Sequence, residues 1–444
     1  MPSRRRHSRR QFLKRAAVGA AAALGAGCAR RNTGGPITLD FYCYSTREFR
    51  YHYAEKLIPA FEKSYPGIKI RFNEAFGEMY DGKLLTLIAG GAAPDVFHIV
   101  QSNFPMHAAK GVTLPVDEFL ANEPPGGFAL SQLYPLMADS MRGQDGRVGH
   151  GPLLGLPSDF STIILLYNKD LFDRHDLDYP NAGWTWDDFL ATSRKLTLDT
   201  DGDGRTDIWG CANQPAYNRW PAWIWMAGGD IFNPDVTRCV MDSPEAIAGF
   251  KFYTGLSLTE KVAPRPNLLE QEQYHQLFAA GRMAMIAESR YIYKRFLNVR
   301  RLDFNWDVAP MPRGPAARAT TFIWGGNCIY KGTRYPRECW EFLKFISGDA
   351  GAAVTIEAGN ALPPVKSVAE AEVANPRDRA IPKNDRAFLD AIEYGRVAPC
   401  PKQFAEYTSA MVPLHESFIG LGDPEEVCRA FTRKVNDILS GGVF

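Results

Sequence analysis

Tyr217, Trp220, Trp223 and Trp225 crowd nine residues of this sequence. Aromatic rings fill a core or stack on the apolar faces of a ligand. The i, i+3 pair Trp220 and Trp223 can share one face of a helix, with Trp225 pointing elsewhere. Core packing and a stacking wall both fit that spacing. A second cluster runs Asp199-Thr-Asp201-Gly-Asp203-Gly204-Arg-Thr-Asp207. It follows the opening of an EF-hand calcium loop, with oxygen ligands at positions 1, 3, 5 and 9 and glycine at 6. Position 12 is Gly210 where a bidentate Glu would close the loop. The stretch therefore reads as a weak calcium site or as an acidic turn.

The amino terminus carries a different chemistry. Ser8-Arg-Arg-Gln-Phe-Leu-Lys14 precedes a small-residue apolar run from Ala16 to Gly27, and Cys28 follows. A basic start, a short apolar centre and a small-residue end make an export signal. The run is too short to span a bilayer, which needs ~20 apolar residues. Arg9-Arg10 ahead of Phe12-Leu13 resembles the twin-arginine signal, which a receptor reads. Leu24-Gly-Ala-Gly-Cys28 resembles a bacterial lipobox, whose cysteine thiol is acylated and begins the mature chain. The expectation is a signal peptide over 1–27 and a lipid-anchored tether over 28–35. The body would then work outside the cytoplasm, in the periplasm or on the outer cell surface.

Composition narrows what that body does. The leader holds seven basic residues and no acid, so a net charge of +1 for the whole chain becomes −6 beyond Gly27. A mildly acidic body lacks the basic footprint of a nucleic-acid binder. No later apolar run reaches spanning length, which leaves the anchor as the expected membrane contact. The seven cysteines after Cys28 are scattered, with no C-x-x-C pair. Most read as buried thiols, with one disulfide such as Cys211–Cys239 left open. The eight histidines show no metal-ligand spacing, and G-x-S-x-G, H-E-x-x-H and P-loop motifs are missing.

The elements that must position these groups follow a β-α-β-α-β rhythm. Ile37–Tyr44 alternates and is rich in β-branched and aromatic residues, so it reads as a strand. Apolar spacing predicts a helix over His52–Tyr65, stopped by Pro66-Gly67. A strand over Ile68–Phe72, a helix over Met79–Ala89 and a strand over Asp95–Val100 complete the pattern. It argues for a parallel sheet under helices, which binds ligands beyond the carboxyl ends of its strands. Ser161–Tyr167 is a further strand. Thr185 caps a helix beginning at Trp186, and Pro244 opens another running to about Thr259. A helix over 271–282 and short strands at Met283–Ala287, Trp306–Pro310 and Thr321–Tyr330 follow, then a helix over Arg337–Ser347 and a mainly helical C-terminal third.

Seven landmarks occur in order along this framework: Ala60–Gly67 (F-E-x-x-x-P-G), Lys83–Val96, Leu165–Phe172, Trp184–Phe189, Phe278–Met285, Val308–Pro312 and Ala361–Pro364. Together they resemble the extracellular solute-binding proteins of bacterial ABC importers, in the carbohydrate-binding family that includes maltose-binding protein. The resemblance implies an α/β, periplasmic-binding-protein-like type II fold: two lobes, a hinge and a ligand cleft between the lobes, closing by hinge motion. Lobe 1 would hold 36–154 and 306–348, and lobe 2 would hold 155–305 and 349–444. It further implies a monomer that captures a mono- or oligosaccharide without chemistry or a required cofactor. Delivery would be to an ABC permease with its ATPase.

Sugar sites combine aromatic platforms with acids, amides and arginine. Carried over residue by residue, the resemblance implies contacts at Tyr44, Thr46 and Arg47 after the first strand. It implies Ser102 and Asn103 after the third strand, where relatives often carry a charged residue. Asp159 and Ser161 would lie at the first crossing between lobes. Glu288 and Tyr291 would follow the short strand, with Ser289 and Arg290 between them. Trp324 precedes Gly325-Gly326, whose missing side chains would let a ligand approach the backbone. Tyr217 sits at an expected stacking position, accompanied by Trp223 and Trp225, and Tyr407 near a late aromatic one. Alternatives are a phosphodiester or polyamine ligand on the same fold, service to a sensor, or a secreted glycosidase with two carboxylates. Basic residues at these positions are few, mainly Arg47 and Arg290, which argues against a phosphate ligand.

Overall fold

The computed structural model describes residues 35–45, 50–76, 79–144, 147–265, 271–292, 302–359, 361–375 and 382–441. The expected export signal with Cys28, and Thr46 and Arg47, lie outside the described residues. Strands β1 (Ile37–Ser45), β2 (Ile68–Phe76) and β3 (Val96–Val100) are parallel, in the spatial order β2-β1-β3. Helix Met79–Ala89 connects β2 to β3, as the apolar spacing requires. The single helix expected over His52–Tyr65 is split. Pro59 has no N–H to carry the helical ladder, so a π-type winding over Arg50–Leu57 gives way to a helix over Ile58–Ser64.

Strands β4 (Arg142–Gln144) and β5 (Arg147–Leu153) form a separate antiparallel pair. Strand β6 (Leu156–Asn168) then passes from one lobe into the other. All 13 of its residues are buried, so it shows no alternation, and its start lies five residues before the expected Ser161. Its first half pairs with β9 (Thr320–Ile329), from Leu156↔Asn327 to Thr162↔Phe322. Its second half lies between β7 (Met285–Ser289) and β8 (Trp306–Ala309). The C-terminal end of β9 pairs with β3 and its N-terminal end with β10 (Gly395–Val397). One eight-stranded sheet therefore runs through both lobes, and β6 and β9 are the crossing strands.

Two large apolar clusters sit on this sheet. The first gathers β1–β3 with helix Pro336–Ser347 and reaches under Tyr274 and Phe278. The second gathers helices Trp220–Met226, Pro244–Leu258 and Pro424–Leu439. Leu362, Ala369, Phe388 and Ala391 belong to the first cluster, and the second resumes at Ala398. Residues 361–375 and 382–391, expected in the second lobe, are thus held by the core of the first. The cap expected at Thr185 forms, and Asp188 reaches back to make it a capping box. Cys211, Cys239 and the other five described cysteines are free and buried. No helix among the described residues is long and apolar enough to cross a membrane.

Candidate binding site

The crossing concentrates polar groups in an apolar interior. A register shift between Pro157 and Asp159 interrupts the β6–β9 ladder, the kind of irregularity that re-aims a side chain. Asp159 is 5 % exposed. Its Oδ2 accepts from Ser158 Oγ at 2.8 Å, and its Oδ1 accepts from the Tyr291 hydroxyl. Burial raises the Asp159 carboxyl pKa, and these two hydrogen bonds offset part of the rise. Opposite Asp159 is Gly325, where a Cβ would sit 3.0 Å from His98 Nε2 and 3.5 Å from Asp159 Oδ2. At Gly326 a Cβ would meet Met141 Sδ at 2.7 Å. The two glycines therefore make room for side chains of the protein, which corrects the expectation of ligand against bare backbone. Burial lowers the His98 pKa to about 3, so its ring is neutral.

Two candidates at the crossing are satisfied internally. Ser161 Oγ donates to the Thr162 carbonyl at 2.9 Å and accepts from the Arg290 amide at 2.8 Å. Its part is a hinge hydrogen bond. Arg290 is fully buried, forks onto Asp385 at 3.0–3.2 Å and donates to the Ala361 carbonyl at 2.9 Å. Trp324 is buried edge-on to Phe104 at 5.4 Å, while its amide donates to Gln101 Oε1 at 2.8 Å. It is a core residue of the first lobe, where a stacking ring was expected.

At the strand ends of the first lobe, Tyr44 is half-buried and edge-on to Tyr80 at 5.8 Å, and Ser102 is half-buried. Asn103 is buried, accepting from the Val100 amide at 3.2 Å and donating to Asp81 Oδ1 at 2.6 Å. The ligand contact expected of Asn103 is thus spent inside the protein. Asp81, which it holds, was not among the sequence candidates. An acid in the first turn of a helix is ordinary dipole chemistry, and nothing in its spacing marks it.

The second lobe overturns most of the aromatic wall. All seven residues of helix Trp220–Met226 are buried. Trp223 is 2 % exposed and stacks on Phe252 and Tyr253 at 5.4 and 5.2 Å. Trp225 is capped by the Arg396 guanidinium 4.6 Å from its ring and donates to Asp230 Oδ1 at 3.0 Å. Tyr407 is fully buried against Phe232 and Phe431. Tyr217 stays half-buried, with its hydroxyl donating to the Pro399 carbonyl and its ring edge-on to Trp220. Glu288, expected to accept from a ligand, is saturated. Arg219 Nη2 (2.7 Å), His275 Nε2 (2.8 Å), the Ser289 amide (3.0 Å) and Gln214 Nε2 (3.1 Å) all reach it. Burial alone would raise its pKa; the Arg219 charge and the His275 hydrogen bond outweigh that and hold it well below the usual carboxylate range.

The acidic loop folds on itself. Asp199 accepts from the Gly202 and Gly204 amides at 2.7 and 2.8 Å, with both glycines at φ near +80° (78° and 84°). Asp207 accepts from Thr200 Oγ1 at 2.6 Å and from its amide at 2.8 Å. The Gly204 amide above all lowers the Asp199 pKa, and the Thr200 hydroxyl above all lowers that of Asp207. One oxygen each of Asp199, Asp201 and Asp207 lies within 4.8 Å of the others. Asp203 is outside that group and accepts from the Arg205 amide at 2.8 Å.

Comparison with known proteins fits this geometry. The family model described as bacterial extracellular solute-binding protein matches residues 50–353. A putative binding protein of Brucella abortus is 24 % identical over 389 residues, covering 87 % of this chain and 90 % of the relative. The arabinooligosaccharide-binding protein of Bacillus subtilis is 26 % identical over 182 residues, 38 % of each chain. Among solved structures, an ABC substrate-binding protein of Listeria monocytogenes in complex with cycloalternan superposes with a TM-score of 0.78 at 26 % identity, covering 91 % of this chain and 99 % of that one. A maltose-bound protein of T. maritima gives 0.73 at 18 % identity, covering 90 % and 100 %, a likeness of fold.

Proposed function

This chain belongs to the bacterial extracellular solute-binding protein family, and we propose that it is the substrate-binding subunit of an ABC importer for a mono- or oligosaccharide. The observation that carries the reading is one sheet shared by two cores, with a buried carboxylate at the strand crossing that accepts a tyrosine hydroxyl. A hydroxyl–carboxylate bond is what a sugar would offer Asp159 in place of Tyr291. Exchange of one for the other would couple ligand capture to hinge closure. Capture involves no bond making, so the protein is a binder and not an enzyme. The closed form would dock as a monomer on a permease whose ATPase supplies the energy. Export by the twin-arginine route and acylation of Cys28 would tether it to the membrane surface.

The test is a thermal-shift and titration screen of the chain from Ala29 onward against maltose, cycloalternan and arabino-oligosaccharides. Phosphodiesters, polyamines and calcium form separate arms. A ligand that binds only the folded state raises the melting temperature by mass action. One sugar class should shift it by several degrees without being consumed, and Asp159→Asn should weaken that sugar at least tenfold, ~1.4 kcal/mol. A shift with non-sugars alone would overturn the ligand class, and consumption of the sugar would make the chain a hydrolase. With Gly210 in place of a closing carboxylate, calcium should act only in the range of weak loops, about 10⁻⁴–10⁻³ M.

A further inference from the structure

We infer that Asp81 is the first-lobe acid that takes a sugar hydroxyl, an assignment resting on the sugar-binding reading above. A saccharide needs charged acceptors with an open lone pair; Asp159 is open to one only when Tyr291 leaves it, and the other acids near the crossing are bonded to partners of the protein. Asp159 is bonded to Ser158 and Tyr291, Glu288 to four donors, and Asp385 to Arg290. The Asp81 side chain keeps 30 % of its exposure. Among the described residues only its Oδ1 is engaged, by Asn103 Nδ2 at 2.6 Å and His107 Nε2 at 3.3 Å. Oδ2 is left open. Asn103 and His107 are both buried, so the carboxylate is held in a fixed orientation with one oxygen facing outward from that contact.

Its place in the sheet is where ligands bind. Helix Met79–Ala89 starts after the carboxyl end of β2, and Asn103 follows the carboxyl end of β3. A second group there lacks a partner. The Tyr42 hydroxyl is buried with no hydrogen-bond partner among the described residues, and it lies close enough to feel the Asp81 charge. Tyr42 stacks on Tyr80 at 4.9 Å, and Tyr80 meets the half-buried Tyr44 ring at 5.8 Å. Tyr42 and Tyr44, two residues apart on β1, share one face of the sheet. An open acceptor, an unsatisfied donor and an aromatic ring thus occupy the same end of the first lobe. A sugar ring with adjacent hydroxyls meets all three needs.

The experiment is isothermal titration of wild type, Asp81→Asn and Asp81→Glu with whichever of maltose, cycloalternan or arabino-oligosaccharide binds wild type, followed by the monodeoxy series of that sugar. Asp81→Asn, which keeps an Oδ1 acceptor for Asn103 and His107, should stay folded and lose at least tenfold in affinity, and Asp81→Glu should recover part of the loss. One deoxy analogue should bind wild type and Asp81→Asn equally, since each lacks one half of the same hydrogen bond. Wild-type affinity in both variants would overturn the assignment and leave the sugar-binding reading standing. If none of the three sugars binds wild type, both fall together.

Discussion

His98 illustrates how a single buried side chain sets a cost. Its Nε2 lies 3.0 Å from where a Gly325 side chain would begin, with the charges of His52 and Asp81 near it. Burial lowers its pKa from 6.5 to about 3 in the folded chain. Between those values the unfolded chain binds a proton that the folded chain refuses, so stability falls as pH drops from about 6.5 towards 3. The loss should reach about 2 kcal/mol at pH 5. Urea melts at pH 7.5 and 5 would measure it, with His98→Gln losing correspondingly less. Equal acid sensitivity in the two proteins would assign the loss to other groups. At this scale the sequence was a partial guide. Asp159 drew notice through the family resemblance, as an acid at the first crossing, whereas Asp81 depends on Asn103 and His107, 22 and 26 residues away, and His98 on the bare Gly325 of a neighbouring strand.

Helix Trp220–Met226 shows where the element scale overrules spacing. The i, i+3 argument gives Trp220 and Trp223 a common face, but it cannot say whether a second layer covers that face. Helix Pro244–Leu258 does: Tyr253 and Phe252 stack on Trp223, and Phe250 meets Trp220 edge-on at 6.0 Å. Trp223→Ala should therefore cost stability, about 3–5 kcal/mol as for other buried tryptophans. A denaturant melt would show a lowered midpoint, and the folded variant should bind sugar within tenfold of wild type. A variant of undiminished stability that no longer binds would restore the ring to the ligand wall. The strands were more legible than this helix, because β1, β2 and β3 carry a pattern set by their own residues and by the turns that end them.

The whole molecule is tied across its hinge. Arg290, just after β7, reaches Asp385, the Ala361 carbonyl and, at 3.7 Å, Glu372, all on the stretch that packs with the first core. A buried charge that loses its partner is expensive. Asp385→Ala should cost about 3 kcal/mol, the low end of that range because Glu372 remains. Adding Arg290→Met should recover much of the loss, since a neutral pair leaves no stranded guanidinium. Denaturant melts of the two single variants and the double variant form the test. Additive losses would mean that the two residues do not act as a pair.

The sequence by itself determined the alternation of β1, β2 and β3 with the helices between them, the Thr185 cap and the net acidic charge of the body, because these follow from neighbouring residues and from summed charge. The landmark residues carried the family. Which side chains are left available to a ligand was decided only by tertiary structure. An aromatic ring or a carboxylate serves a core, a buried ion cluster or a binding surface equally well until the elements packed around it are in place. Helix Pro244–Leu258 covers Trp223, four donors saturate Glu288, and Asn103 with His107 leaves one oxygen of Asp81 open.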